Sequence, residues 1–150
     1  RIILHGVSMG AATVLMASGE TLPENVKAVI ADCGYTSEWD EFIWEAEMIH
    51  IPWFPVLNAA SALSKLRDGY DFKQASALEQ VKKSDIPTLF IHGTADELVP
   101  YKMLGELFSA AACEKESLTV EGAGHALSSS VEPEMYWSTV GEFVEKYIGS

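Results

Sequence analysis

The feature that most constrains this sequence is a short turn between an apolar strand and an apolar helix. The pentapeptide Gly6-Val7-Ser8-Met9-Gly10 follows Ile2-Ile3-Leu4 and precedes the apolar segment 11–17. A G-x-S-x-G pattern between a strand and a helix predicts a strained turn that exposes the serine, called a nucleophile elbow. Glycines beside the serine let the strand and the helix approach closely, because they lack Cβ atoms. The helix N-terminus would direct free N–H groups toward charge that develops near Ser8.

The position of this turn predicts which part of a domain the chain represents. A strand followed by such an elbow at residue 8 is not the first strand of a complete domain of this kind. We therefore expect residues 1–150 to form the C-terminal portion of one domain, without its N-terminal strands. The strand at residues 1–5 would then lack a partner on one side, and an exposed edge of this kind pairs readily with another chain. Self-association of the chain is the expected consequence.

Strands and helices alternate along most of the sequence. Apolar runs predict four strands, at residues 1–5, 26–31, 87–92 and 118–120. Helical spacing of apolar residues predicts further helices near residues 103–111 and from Pro133 onward. This alternation predicts an α/β fold, with a mostly parallel sheet of about four strands and helices on both faces.

One segment, residues 36–84, interrupts the alternation. It contains no convincing strand, and Pro52 and Pro55 divide it into two or more short helices. Because the segment follows the C-terminal end of a strand, it would lie over the sheet edge where α/β proteins bind ligands. One interpretation is a helical cap whose aromatic residues line an apolar substrate pocket: Trp39, Phe42, Trp44, Trp53 and Phe54. The alternative is a helical layer in which the same side chains fill the core.

Two further residues complete a candidate catalytic set with Ser8. Asp96 ends the segment His92-Gly93-Thr94-Ala95-Asp96 after the third predicted strand, and His125 ends Gly122-Ala123-Gly124-His125 after the fourth. Serine, aspartate and histidine, each just after a strand, follow one another in the chain order of a known Ser-His-Asp arrangement. The chemistry needs all three, because a serine hydroxyl requires a base to remove its proton and the base requires a group that orients it.

Asp32 is an alternative for the acid, because it ends the second predicted strand. Asp96 is favoured, since the stretch from His92 to Pro100 has the form of the usual acid loop. The competing role for Asp32 is a hydrogen bond to the loop 34–36. Two histidines that end strands are expected to brace the site or to pack, namely His5 and His92.

These segments resemble the C-terminal half of an α/β-hydrolase, close to bacterial serine hydrolases with esterase-like and peptidase-like members. The resemblance implies that Ser8 is the nucleophile, that His125 is the general base and acid, and that Asp96 orients His125. It also implies that the backbone N–H of Met9 stabilises an oxyanion.

The reaction that this resemblance implies is hydrolysis of an ester, or of an amide, through an acyl-enzyme. The substrate would be a small-molecule ester or a short peptide, and no metal or organic cofactor is implied. Two alternatives stay open from the sequence: a peptidase of the same fold, and a non-catalytic fragment that serves as an interaction module.

Composition argues against several classes of partner. The net charge of −12 disfavours nucleic acid or an anionic membrane, since no basic stripe offsets phosphate repulsion. We interpret this charge as a solvated acidic surface. No apolar run in the sequence has the length that spans a bilayer. Cys33 and Cys113 lack metal-ligand spacing and are interpreted as free thiols, which favours a reducing, cytoplasmic location; Cys33 is expected to be buried rather than nucleophilic.

Overall fold

The computed structural model describes residues 1–149, which form four strands connected by helices. The strands are β1 (Ile2–Val7), β2 (Val26–Asp32), β3 (Thr88–Gly93) and β4 (Lys115–Val120). The helices are α1 (Met9–Ser18), α2 (Glu38–Met48), α3 (Val56–Asp68), α4 (Ala77–Val81), α5 (Lys102–Ala110), α6 (Ser128–Val131) and α7 (Pro133–Ile148). All neighbouring strands pair in parallel, in the order β1-β2-β3-β4. The predicted α/β fold with a parallel sheet is confirmed.

An apolar core lies on each face of the sheet. Side chains along a strand alternate between the two faces. Val29 and Phe90 therefore pack toward α1, α4 and α5, whereas Ile30 and Ile91 pack toward α7. β3 is buried along its whole length, as expected for a strand in a parallel sheet that is covered on both faces.

The segment 36–84 has two structural roles. α4 packs in the core beside α1, where two of its side chains are buried, Ala77 and Val81. α2 and α3 contribute no buried residue to either core. Backbone hydrogen bonds join the two ends of the segment: the N–H of Glu38 donates to the carbonyl of Ala75 at 3.0 Å, and the N–H of Leu78 donates to the carbonyl of Thr36 at 2.9 Å.

β1 forms one edge of the sheet, because within residues 1–149 it pairs only with β2. Two apolar side chains on this strand are exposed, those of Ile2 and Val7. Unpaired backbone groups beside exposed apolar side chains favour pairing with another chain.

We expect the 150-residue chain to self-associate through β1 and the substitution Ile2→Lys to shift it toward a monomer, because a charge on an edge strand opposes strand pairing. Leu66→Lys is the matched control, since Leu66 lies on α3 and is 85% exposed. Light scattering at high protein concentration measures the mass of each variant. A monodisperse monomer of the unsubstituted chain, or the same effect of both substitutions, would contradict an association through β1.

Candidate active site

Ser8 lies at the turn between β1 and α1 in a strained backbone conformation. Its φ of 57° and ψ of −120° are outside the regions that residues other than glycine usually adopt. The N–H of Ser8 donates to the carbonyl of Asp32 at 2.8 Å, which anchors the turn to β2. Ser8 occupies the N-cap position of α1, but its side chain caps no backbone N–H of the helix. The hydroxyl is therefore available to another group.

The two glycines of the pentapeptide have different roles. A Cβ atom at Gly6 would collide with the backbone carbonyl of Gly10, so glycine at position 6 is required by the close approach of β1 and α1. A Cβ atom at Gly10 would meet no atom within 4 Å. The expectation that both glycines are needed sterically is wrong for Gly10, because its Cβ position faces open space.

The structure brings Ser8, His125 and Asp96 into one chain of hydrogen bonds. Ser8 Oγ lies 2.7 Å from His125 Nε2, and His125 Nδ1 lies 2.9 Å from Asp96 Oδ2. An ionised carboxylate only accepts hydrogen bonds, so Nδ1 of His125 carries a hydrogen and its N–H donates a hydrogen bond to Asp96. In the neutral imidazole, Nε2 is then free to accept the hydrogen bond of the Ser8 hydroxyl.

Asp96 is buried, and both of its oxygens accept hydrogen bonds. Its Oδ1 accepts from the backbone N–H groups of Leu98 and Val99, at 3.0 and 2.9 Å. Its Oδ2 lies 2.9 Å from Nδ1 of His125 and 3.2 Å from Nε2 of His92. Burial by itself would raise the pKa of Asp96, but the hydrogen bonds from His92, His125 and Val99 outweigh it and lower the pKa. Asp96 therefore stays ionised at neutral pH.

Two neighbouring loops, which follow β3 and β4, hold the acid and the histidine together. The N–H of Ala95 donates to the carbonyl of Ala123 at 3.0 Å. The N–H of Gly122 donates to the hydroxyl of Thr94 at 2.8 Å. A Cβ atom at Gly93 would collide with the backbone of Ala123, so the loops can approach this closely only with glycine at position 93.

Asp32 has different neighbours. One of its oxygens accepts a hydrogen bond from the Tyr136 hydroxyl at 3.1 Å, and that hydroxyl lies 3.2 Å from Nε2 of His5. The other oxygen, Oδ1, is buried and has no hydrogen-bond partner within residues 1–149. Both ring nitrogens of His125 are engaged elsewhere, so the geometry favours Asp96 over Asp32. The expected hydrogen bond from Asp32 to the loop 34–36 is wrong, because the carboxylate turns toward Tyr136.

Cys33 lies against this group of residues. Its Sγ lies within 4.8 Å of donor atoms of Asp96 and His125, and the residue is buried. Burial, together with the negative charge of Asp32, raises the pKa of the Cys33 thiol to about 12. A protonated thiol is a poor nucleophile and a poor metal ligand, so we assign neither role to Cys33.

A cavity of about 180 Å³ opens beside Ser8. It is bordered by Met9, whose backbone N–H is at the start of α1, where such groups have no partner within the helix. Part of its wall is contributed by large, mainly apolar side chains, those of Tyr35, Phe42 and Leu98. The remainder is contributed by three glutamates of α2, namely Glu38, Glu41 and Glu45.

Phe42 is the one aromatic residue of the predicted pocket that borders the Ser8 cavity. Phe42 and Trp53 also line a second, apolar cleft of about 340 Å³, formed by α2, α3 and the loop between them. Because Phe42 borders both spaces, the cleft lies next to the Ser8 cavity.

The other three aromatic residues do not border the Ser8 cavity, and their contribution to a substrate pocket stays a prediction. The indole N–H of Trp44 donates to the carbonyl of Glu97 at 3.1 Å, which fastens α2 to the acid loop. The ammonium of Lys73 lies over the ring of Trp39, 4.3 Å from its centroid. Phe54 is 65% exposed.

The sequence-based prediction missed the three glutamates in the cavity wall. They occur at positions i, i+3 and i+7 of α2, which is the spacing of one helix face. This signal is present in the sequence, but the interpretation of the acidic residues as a solvated surface includes these three as well. Only the packing of α2 beside Ser8 shows that this face is turned inward.

Glu41 is the most buried of the three. It is 6% exposed, and its Oε2 has no hydrogen-bond partner within residues 1–149. Burial, together with the negative charges of Glu45 and Asp96, raises the pKa of Glu41 to about 7. Burial and the charges of the same glutamates also raise the pKa of the Tyr35 hydroxyl to about 12. The carboxylates are therefore close to one another and to the candidate catalytic residues.

The parallel sheet, with a strained serine turn at its edge, is the fold of the α/β-hydrolases. The Pyrococcus furiosus esterase PF2001 matches it with a TM-score of 0.71 and 22% identity, over 99% of this chain and 54% of the esterase. The acylaminoacyl peptidase of Pyrococcus horikoshii matches with a TM-score of 0.71 and 19% identity, over 99% of this chain and 24% of the peptidase. The chain therefore has a hydrolase fold of the esterase and peptidase type.

Comparison of the sequence with family profiles identifies one family within this class. The profile of the prolyl oligopeptidase family matches residues 1–150, and the chain belongs to that family. The uncharacterized protein YqkD of Bacillus subtilis is 30% identical over 143 residues, which are 95% of this chain and 47% of YqkD. The chain spans half or less of the length of the curated relatives it matches.

We expect Glu41→Gln to stabilise the protein at alkaline pH. The pKa of Glu41 is raised in the folded state, so the folded protein holds this proton more tightly than the unfolded chain does. The resulting stability is complete below the ordinary pKa of about 4.5 and is lost as the pH rises through about 7. Glutamine stays neutral, so the variant should gain roughly 1–3 kcal/mol in free energy of unfolding at pH 8.5 and little at pH 5.

Urea denaturation of both proteins at the two pH values measures this difference. A stability difference that is the same at pH 5 and at pH 8.5 would show that ionisation of Glu41 is not its cause.

Proposed function

We propose that Ser8, His125 and Asp96 form the catalytic triad of a serine hydrolase, which cleaves an ester or amide bond through an acyl-enzyme. The observation that supports this most strongly is the continuous hydrogen-bond chain from Ser8 Oγ to His125 and from His125 to the buried carboxylate of Asp96, at 2.7 and 2.9 Å. Nucleophile and base are within hydrogen-bond reach, and the base is held by a third group.

In the first half of the reaction, Ser8 Oγ attacks the carbonyl carbon of the substrate while Nε2 of His125 takes the hydroxyl proton. The negative charge of Asp96 stabilises the imidazolium that forms. The backbone N–H of Met9 would donate to the oxyanion, and the positive end of the α1 dipole favours charge at the same place. His125 then gives its proton to the departing alkoxide or amine, which leaves the acyl group on Ser8.

In the second half, a water molecule attacks the acyl group, and His125 takes one of its protons. Breakdown of the second tetrahedral intermediate releases the carboxylic acid and returns the proton to Ser8. His125 thus acts once as base and once as acid in each half of the cycle. The triad supplies every proton transfer of this proposal, so none of them is assigned to a metal or an organic cofactor.

Two substrate classes agree with this chemistry. A small-molecule ester is favoured by the likeness to an esterase, and a short peptide is favoured by membership of the prolyl oligopeptidase family. The strained serine and the cavity beside it would serve either bond, because both reactions pass through a tetrahedral intermediate that carries an oxyanion. If the experiments below detect no hydrolysis, the alternative is a non-catalytic role as an interaction module.

The cellular location stays a prediction. No helix within residues 1–149 combines the length and the apolar character needed to cross a membrane. Cys33 and Cys113 are free thiols, and their pairing state is the basis for expecting a reducing, cytoplasmic compartment. The prediction that nucleic acid and anionic membranes are not partners is likewise based only on the net charge of −12.

We expect Ser8→Ala in the full-length protein to abolish hydrolysis of p-nitrophenyl acetate. Loss of a triad nucleophile costs on the order of 10⁶-fold in kcat in comparable enzymes. Folding should change little, because the Ser8 side chain caps no backbone group of α1. Initial rates and circular dichroism of both proteins measure the two effects, and retention of more than a few per cent of the activity would show that another residue is the nucleophile.

We expect Asp96→Asn to lower kcat by about 10⁴-fold, because His125 loses the carboxylate that fixes its tautomer and stabilises its positive charge. Asp32→Asn is the matched control, and its effect on kcat should be far smaller, since Asp32 bonds to Tyr136 instead. Steady-state kinetics of both variants decide between the two acids. The reverse ranking would assign the acid to β2.

A further inference from the structure

We propose that α3 and the loop before it dock on the surface of a zwitterionic lipid membrane, with their exposed apolar side chains in contact with the lipid. This inference goes beyond the proposed function, because it gives the protein a partner outside the Ser8 cavity. We call the docking surface the outer apolar face, and it consists of six side chains, those of Ile49, Ile51, Phe54, Val56, Leu63 and Leu66.

Exposed apolar side chains are concentrated in this short segment. Within residues 1–149, eight large apolar side chains are more than half exposed, and six of them form the outer apolar face. The other two, Met9 and Trp137, lie on α1 and α7. Single exposed apolar residues are common in soluble proteins, whereas a group of them marks a surface that binds a partner.

α3 turns a polar side toward the rest of the protein. Ser61 is its one buried residue, in a helix that the structure describes completely. The Ser61 Oγ accepts a hydrogen bond from the N–H of Phe72 at 3.0 Å, and the Ser64 hydroxyl donates to the carbonyl of Tyr70 at 3.0 Å. A helix at the surface of a globular protein usually does the reverse and buries its apolar side.

The apolar residues of α3 lie on the side that faces away from the protein. Leu63 follows Val56 by seven residues and Leu66 by three more, which is the spacing of one helix face, and the exposed residues Ala59 and Ala60 lie between them. An amphipathic helix that lies in a membrane interface has this arrangement, with its apolar side in the lipid. With 13 residues, α3 is too short to span a bilayer, so it would lie on the surface.

The charge of the segment fits a lipid surface. Residues 48–67 contain no aspartate or glutamate, although the chain has 22 acidic residues among 150. Arg67 is exposed and follows Val56 by eleven residues, about three turns, so it lies at the end of the apolar face. Lipid phosphates would repel carboxylates here, whereas they attract an arginine. A zwitterionic lipid is favoured over an anionic one, because the chain as a whole carries a charge of −12.

A protein partner matches this surface less well. A protein interface normally carries about one hydrogen bond per 100–200 Å². The six side chains of the outer apolar face contain only carbon and hydrogen, so they offer no donor or acceptor for such bonds. The hydrocarbon of a lipid membrane needs none.

The outer apolar face is continuous with the apolar cleft of about 340 Å³ between α2 and α3. Ile51 and Val56 belong to both, and Phe42 borders the cleft and the Ser8 cavity. A lipid chain that leaves the membrane would therefore meet apolar side chains on its way to Ser8. This continuity makes an ester carried by the membrane a substrate for the docked protein, a step that rests on the proposed function, whereas the docking does not.

Flotation of the full-length protein with phosphatidylcholine vesicles tests the docking. The protein carries Ser8→Ala in this experiment, so that no lipid is hydrolysed. We expect it to float with the vesicles, also at high salt, because the contact is apolar. Leu63→Gln and Leu66→Gln should each weaken the apparent affinity by about tenfold, since each removes an apolar side chain from the lipid contact.

Met135→Gln is the matched control, because Met135 is an exposed apolar residue of α7 outside the outer apolar face. We expect it to leave flotation unchanged. Two variants of α3 are included, so that the test survives if one of them fails to fold. Absence of flotation of the protein with an unchanged face, or an equal loss in all three variants, would overturn the docking.

Light scattering without lipid tests a second copy of the chain as the occupant of the face. We expect Leu63→Gln and Leu66→Gln to have the same mass as the protein with an unchanged face. A lower mass of both variants would assign the face to an interface between copies and overturn the lipid docking.

Hydrolysis by the protein with Ser8 intact links the docking to the proposed function. We expect Leu63→Gln and Leu66→Gln to slow hydrolysis of p-nitrophenyl palmitate in phosphatidylcholine vesicles by about tenfold and to leave that of dissolved p-nitrophenyl acetate unchanged. Flotation without hydrolysis of either ester would overturn the proposed function and support the docking. Hydrolysis of the acetate without flotation would overturn the docking and support the proposed function.

Discussion

The parallel pairing of the strands is the constraint on which the whole site depends. Because β1, β3 and β4 run in the same direction, the loops that follow them meet at one edge of the sheet. Ser8 and His125, which are 117 residues apart, therefore lie at hydrogen-bond distance, as do Asp96 and His125, which are 29 residues apart. An antiparallel arrangement would send alternate loops to opposite ends and separate the three side chains.

At this edge, backbone segments approach one another closely, and this approach positions the side chains of the site. The absence of a side chain at Gly6 lets α1 start directly against β1. The absence of one at Gly93 lets the loop after β3, which carries Asp96, pack on the loop after β4, which carries His125. Hydrogen bonds from Leu98, Val99 and His125 then fix Asp96 in a buried position where it stays ionised. The strained backbone conformation of Ser8 is stabilised by its neighbours, because its N–H donates a hydrogen bond to the carbonyl of Asp32 in β2.

Strong local patterns made the fold and the meeting of Ser8, Asp96 and His125 at one sheet edge predictable from the sequence. The apolar runs of the strands and the residues around Ser8, Asp96 and His125 depend on neighbours within a few positions. The cavity wall was not predictable, because the direction of a helix face depends on how α2 docks. Trp44 turns to a carbonyl of the acid loop, whereas Glu41 on the same helix turns to the cavity. From hydrophobicity alone, Trp44 would be expected in the cavity wall and Glu41 at the surface.

The most direct test of the account is the covalent labelling of the full-length protein by a fluorophosphonate, followed by peptide mass spectrometry. A serine activated by His125 and Asp96 reacts with such a reagent, whereas an ordinary surface serine does not. We expect a single phosphonylated residue, Ser8. No adduct, or an adduct on a different serine, would contradict the proposal that this site is catalytic.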